Sequence, residues 1–219
     1  MRSLPLDDAL FRGAVSLERR DGYVKPWRIP VNEYALFPPD GIGGTAERPA
    51  GVRLGFTTDT RAVELRFAPC TEPVTVDCVV EDELIARETA APGADGLTFG
   101  GLPPGEPADG RRRVELYLSQ TVPMRLLGCA VDDGASATPL PPDRPRWITY
   151  GSSITHCMGS PGPAETWPAI VARRNRYDLT CLGFGGNCHL EPWSRASSAT
   201  CPPISSPSAS ASTSRASGA

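Results

Sequence analysis

The chain has 219 residues, 40% hydrophobic and 21% charged, an ordinary globular balance with room for one large domain or two small ones. Its net charge of −3 argues against a broad basic surface for nucleic acid or anionic membrane. No stretch approaches the roughly 20 apolar residues of a membrane span, and Met1-Arg2-Ser3-Leu4-Pro5-Leu6-Asp7-Asp8 builds no apolar leader, so a cytoplasmic location is expected.

Residues 1–133 read as β-rich. Val52, Leu54 and Phe56 alternate with Arg53, Gly55 and Thr57; Val63, Leu65 and Phe67 alternate with Glu64 and Arg66. Val74, Val76, Cys78 and Val80 repeat the pattern, as do Val114, Leu116 and Leu118. A period of two puts one face in a core and the other in water. Turn-forming clusters at Thr58-Asp59-Thr60, Pro92-Gly93-Ala94-Asp95-Gly96 and Pro103-Pro104-Gly105 separate the runs. Many short strands at this spacing predict an all-β sandwich or jelly roll. The adjacent acids Glu81, Asp82 and Glu83 read as a solvated turn.

Residues 134–145, Gly-Ala-Ser-Ala-Thr-Pro-Leu-Pro-Pro-Asp-Arg-Pro, read as a Pro-rich linker. The pattern then changes. Arg146-Trp147-Ile148-Thr149-Tyr150 predicts a short buried strand running into Gly151-Ser152-Ser153-Ile154-Thr155. A glycine there permits a tight turn. A serine just beyond it is presented at a helix start, where free N–H groups stabilise negative charge, a fitting place for a nucleophile that generates an oxyanion. A helix is expected over Thr166–Arg174, capped by Thr166 with Pro168 in its first turn. Tyr177–Leu182 predicts the next strand, ending in Gly183-Phe184-Gly185-Gly186-Asn187. Strand, helix and strand with glycine-rich turns begin a parallel α/β sheet, whose sites lie at the carboxyl ends of the strands.

Those residues resemble a family. Tyr150-Gly151-Ser152-Ser153-Ile154-Thr155 looks like the first block of the SGNH (GDSL-like) hydrolases, usually Gly-Asp-Ser-Ile/Leu-Thr, with Ser152 in the Asp position. Leu182-Gly183-Phe184-Gly185-Gly186-Asn187 looks like the second block. The resemblance implies Ser153 as nucleophile and Gly186 as backbone donor to the oxyanion hole, with Ser152, Asn187 and His189 as pocket-lining candidates. It implies a flavodoxin-like α/β domain behind a β-sandwich, as in a subgroup of SGNH esterases and acyltransferases, acting on a small-molecule ester without cofactor. The α/β-hydrolase elbow Gly-x-Ser-x-Gly does not fit, because Thr155 takes the last glycine position.

The same resemblance implies a third block with an Asn oxyanion donor and a late Asp-x-x-His, and neither is found. The chain's two histidines, His156 and His189, lie outside such a context and read as structural or pocket-lining. Residues 146–192 therefore read as the first part only of a hydrolase domain. Residues 193–219 read as a disordered tail, since Ser194 to Ala219 contains 10 Ser, 6 Ala and 3 Pro among 26 residues. Arginine-rich usage, with Lys25 the only lysine, fits a GC-rich gene, and the tail reads as a frameshift product; a genuine Ser/Ala linker is the rival reading. Seven cysteines at irregular spacing predict free thiols, and Cys181, Cys188 and His189 lack a second cluster to close a metal shell. On this reading the chain as it stands is a nearly inactive serine esterase or acyltransferase. The alternative is a non-catalytic, ligand- or carbohydrate-binding sandwich. The acyl group, the alcohol and the oligomeric state are left open.

Overall fold

The computed structural model describes residues 1–37, 41–105 and 110–189; the tail expected over 193–219 lies outside them. Strands β1 (Arg2–Leu4), β2 (Phe11–Arg12), β3 (Ser16–Arg20), β4 (Tyr23–Trp27), β5 (Arg53–Thr58) and β6 (Val63–Phe67) open the chain. They are followed by β7 (Val74–Val80), β8 (Glu83–Ala90), β9 (Gly96–Phe99), β10 (Arg112–Tyr117), β11 (Leu126–Val131) and β12 (Ala137–Pro139). These form two antiparallel sheets. The first runs β3-β4-β11-β6-β9 with β1 against β11, and the second runs β12-β5-β10-β7-β8 with β2 against β5.

The alternating apolar residues meet between the sheets. Leu54, Phe56, Val76, Cys78, Val114 and Leu116 from the second face Leu65, Phe67, Leu126 and Val131 from the first in one buried cluster. Each such side chain contributes about 1.5–3 kcal/mol of transfer free energy. The chain is thus a β-sandwich through residue 139.

Two expectations change. The segment 134–145 is stitched to the sandwich: β12 pairs along β5, Leu140 N–H donates to the Gly55 carbonyl at 3.2 Å, and Arg144 forks onto both oxygens of Asp82 at 2.7 Å. Glu81 and Asp82 make the tight β7–β8 turn, at φ 48° and 69°, and Glu81 and Glu83 are exposed, in line with the solvated turn expected there; Glu81 also accepts the Arg113 N–H.

The second correction concerns the face of the second sheet expected in water. Arg53, Asp77, Glu115 and Tyr117 are all buried. They lie under the rest of the chain: β13 (Arg146–Gly151), a short helix α2 (Ser153–His156), helix α3 (Trp167–Arg174) and β14 (Asp178–Gly183); α1 (Ile42–Ala46) belongs to the β4–β5 connection. Val79 and Tyr117 pack with Ala164, Ala169, Ala172, Leu179 and Cys181 in a second apolar cluster. Thr166 stands at the α3 N-cap position, but its hydroxyl donates to the Pro163 carbonyl instead of capping the helix.

β13 and β14 pair in parallel, with Gly151 opposite Gly183. The Asp178 and Phe184 N–H groups donate to Pro145 and Gly151, so even-numbered residues of β14 face β13 and odd-numbered ones face away. The outward carbonyls are taken by guanidinium groups of the sandwich. Leu179 accepts from Arg53, and Cys181 and Gly183 both accept from Arg28. These caps satisfy the edge that a parallel strand would otherwise leave open. Among the described residues no helix is long and apolar enough to cross a membrane.

Candidate active site

The parallel pairing brings the carboxyl ends of β13 and β14 side by side, and both candidate turns leave from there. Ser152 begins α2: its carbonyl accepts the Thr155 and His156 N–H groups at 3.1 and 3.0 Å. Ser153 is the first residue of that turn, which Cys157 closes in the left-handed conformation at φ 56°. Thr155 and His156 point inward and are buried, which leaves Ser152, Ser153 and Ile154 exposed.

After β14 the chain passes through buried Phe184 into Gly185, Gly186 and Asn187. Gly186 sits at φ +78°, a region that suits a residue without Cβ. Asn187 N–H returns to the Phe184 carbonyl at 3.0 Å, and its side-chain amide donates to Gly185 at 3.1 Å. Gly183 is where the two turns touch. A Cβ there would overlap the backbone of Thr155 and His156, so only glycine allows α2 to lie this close to β14. A Cβ on Gly185 would stand 3.8 Å from Ser153 Cα.

The structure therefore brings Ser152, Ser153, Gly185, Gly186 and Asn187 together. The Gly186 N–H donates to Ser152 Oγ at 3.3 Å, so the residue in the Asp position of the motif is bonded to the expected oxyanion donor. His189 is exposed, two residues beyond Asn187. Among the described residues no histidine hydrogen-bonds Ser153 Oγ.

His156 lies in the wall of the site, fully buried. Its Nε2 is 2.9 Å from the Gln120 carbonyl, and its Nδ1 accepts the Gly185 N–H at 3.3 Å. Burial, then the neighbouring Arg28, push its pKa down to about 3, so the ring is neutral at physiological pH.

Sequence reasoning missed Arg28. Its guanidinium is fully buried and donates to the carbonyls of Arg48 at 2.6 Å, Thr45 at 2.5 Å, Cys181 and Gly183. It stacks over Phe184 at 4.9 Å. Burial lowers its pKa to about 10, which still leaves it charged. The one signal for it is an arginine between Trp27 and Ile29, flanked by apolar residues. The β4–β5 connection reaches the site at a second point, where a Cβ on Gly41 would lie 3.6 Å from Asn187 Oδ1. Among the described residues no cluster of His, Cys, Asp and Glu could hold a metal.

Comparison with known proteins places this arrangement. The sequence model described as SsfX3, N-terminal domain, matches residues 9–123, which is 123 − 9 + 1 = 115 of the 219 residues. The solved salicylyl-acyltransferase SsfX3 from a tetracycline biosynthetic pathway is similar at 36% identity and a TM-score of 0.75, over 85% of this chain and 56% of that one. A candidate GDSL-like lipase from Bacteroides ovatus shares the fold at 19% identity and a TM-score of 0.65, over 86% of this chain and 58% of its own. An active-site mutant of a family two carbohydrate esterase from Clostridium thermocellum shares it at 13% identity and a TM-score of 0.54, over 81% and 51%. No curated protein matches the chain. The chain thus spans little more than half the length of these proteins. With more than half of its residues matched by that model, it belongs to the SsfX3 N-terminal domain family, whose solved neighbours include an acyltransferase and a GDSL-like lipase fold.

Proposed function

We propose that this chain carries the nucleophile half of a serine ester hydrolase or acyltransferase of SGNH type. The observation that supports it best is the exposed Ser153 at the carboxyl end of β13, next to Ser152, whose Oγ accepts the Gly186 N–H of the second turn. Ser153 Oγ attacks an ester carbonyl carbon, the carbonyl π electrons move to oxygen, and the N–H groups of Ser153 and Gly186 receive that oxyanion. Its collapse breaks the bond to the leaving alkoxide, which takes up a proton to become the alcohol, while the Ser153 hydroxyl proton passes to water or to added imidazole, and an acyl-Ser153 is left. Water then completes hydrolysis, or a second alcohol takes the acyl group. For Gly186 to serve, its bond to Ser152 Oγ must be released or shared, and that hydroxyl is free to rotate.

His156 is excluded as the base that removes the Ser153 proton, because both its ring nitrogens are engaged away from Ser153. The Asp-x-x-His that the SGNH resemblance implies is absent from the sequence as read, so this chain alone acylates slowly. In the same reading, residues 1–133 together with strand β12 are the sandwich, the rest of 134–145 is the connector, and 146–192 are the first part of a flavodoxin-like α/β domain. The tail, 193–219, lies beyond it. Because Arg28 and Arg53 occupy the outer edge of β14, further strands of that sheet add next to β13. Asn187 and His189 line the pocket, the substrate is a small-molecule ester, no cofactor is needed, and the compartment is the cytoplasm.

The test is acylation by an activated ester such as p-nitrophenyl acetate, with and without imidazole in place of the missing base, followed by peptide mass spectrometry. An acyl adduct at Ser153 that imidazole accelerates and Ser153→Ala abolishes is expected. A chain that never carries the adduct at Ser153, whatever the imidazole concentration, refutes the reading.

A further inference from the structure

A buried histidine three residues after a candidate nucleophile invites assignment as its base; the hydrogen bonds around it give it another task. Two neighbours define the protonation of the His156 ring. The Gln120 carbonyl, 2.9 Å from Nε2, requires a proton there, because a lone pair facing that oxygen would be repelled. The Gly185 N–H, 3.3 Å from Nδ1, requires a lone pair there. Both demands are met by one neutral tautomer, with the proton on Nε2. Arg28 Nη2, 3.3 Å from Nε2, is the one neighbour that favours the opposite form, and its Nη2 already donates to Thr45 at 2.5 Å. The opposite form would set N–H against N–H at Gly185 and lone pair against lone pair at Gln120.

We propose that His156 is a positioning residue: a ring locked in the Nε2–H tautomer that holds the Gly185–Gly186 turn beside Ser153, with Arg28 closing its far side. Arg28 clamps the end of β14, just before that turn, through the carbonyls of Cys181 and Gly183. The turn is therefore fixed at two amides, by His156 at the Gly185 N–H and by Ser152 at the Gly186 N–H, and the strand that leads into it is held by Arg28. The charged groups around the ring reinforce the neutral form: Arg28 just after β4 and Arg48 after α1 both disfavour a second positive charge there. The Gln120 carbonyl comes from the connection between β10 and β11, so a loop of the sandwich sets the tautomer of a residue in the catalytic turn. The purpose given to the lock rests on the proposed role of Gly186; the lock itself does not.

The experiment is long-range ¹H–¹⁵N NMR on the full chain, reading the ring nitrogens of His156 and the amides of Gly185 and Gly186. The expected spectrum has Nε2 protonated and Nδ1 unprotonated, unchanged from about pH 5 to about pH 8. His156→Asn keeps an acceptor near the Nδ1 position and should leave the Gly185 and Gly186 amide resonances nearly in place. His156→Leu removes the acceptor and should shift both. A ring that carries its proton on Nδ1, or that titrates near the usual histidine value, overturns the lock from the wild-type spectrum alone, even where a variant fails to fold. So do unmoved Gly185 and Gly186 amides in a folded His156→Leu chain. Acylation at Ser153 is read separately: a locked ring in a chain that never acylates leaves this inference standing and removes the reading of Ser153.

Discussion

Arg53 on β5 and Asp178 at the start of β14 form an ion pair at 2.6 Å, and the same guanidinium donates to Glu115 at 2.7 Å and to the Leu179 carbonyl at 3.0 Å. One side chain thus joins the sandwich to the parallel pair and covers part of its open edge. Burial works against the Arg53 charge, and Tyr117, Glu115 and Asp178 outweigh it, so its pKa is raised.

Removing one partner of such a group is costly because the other stays buried and charged. Arg53→Met should lower the unfolding free energy by about 3 kcal/mol, read from urea midpoints. The double variant Arg53→Met with Glu115→Leu should lose less than the single one, since no buried carboxylate is left behind. Equal losses for the two would show that the packing of Arg53, and not its charge pairing, matters.

Acid should destabilise the fold in two stages. His156 is held neutral with its pKa near 3, whereas the unfolded chain takes up that proton around 6.5. The unfolded state therefore binds more protons across that window, and stability falls as pH drops through it, by up to about 1.4 kcal/mol per pH unit. Glu115 adds a second loss below its usual 4.5: burial raises its pKa, but Arg53 and Arg113 override that and lower it on balance. His156→Asn should flatten the curve between pH 6.5 and 4.5 and leave the lower limb. A wild-type curve already flat in the upper window contradicts the first stage.

Gly183→Ala should disturb the site from within. Its new Cβ meets the backbone of Thr155 and His156, which can yield only by moving α2, at a cost of about 1–3 kcal/mol. Gly186→Ala meets open space and costs only its left-handed backbone, about 1–2 kcal/mol. Amide shifts of Ser153 and Ile154 should move in the first variant and stay in the second. Thermal melts supply the energies.

Thiol reactivity should divide by depth. Burial pushes the Cys78 and Cys129 thiols up to about 12, and both lie in the sandwich core. A thiol reagent on the native chain should mark Cys70, Cys157 and Cys188, which are half-buried, and reach Cys78 and Cys129 only on unfolding. Early labelling at Cys78, found by peptide mapping, would mean that the β7–β10 pairing opens readily.

The amino-acid order by itself determined four of the sandwich strands, β5, β6, β7 and β10, and the two glycine-rich turns. A period of two in Leu54, Phe56, Val114 and Leu116 and a glycine at each strand end are local facts that backbone geometry reads directly. It also singled out Ser153, because the turn that presents it is written within six residues. Only the tertiary structure decided what covers the outer face of β5, β7 and β10. Arg53, Asp77 and Glu115 read as solvent-facing on periodicity alone, and they are buried by a segment as much as 126 residues away in sequence. For the same reason Arg28 could not be picked out. Its partners are backbone carbonyls, which every residue has, so no side-chain pattern announces them. The tautomer of His156 followed likewise from where the Gln120 carbonyl and the Gly185 N–H come to rest, contacts spanning 36 and 29 residues that local patterning does not encode.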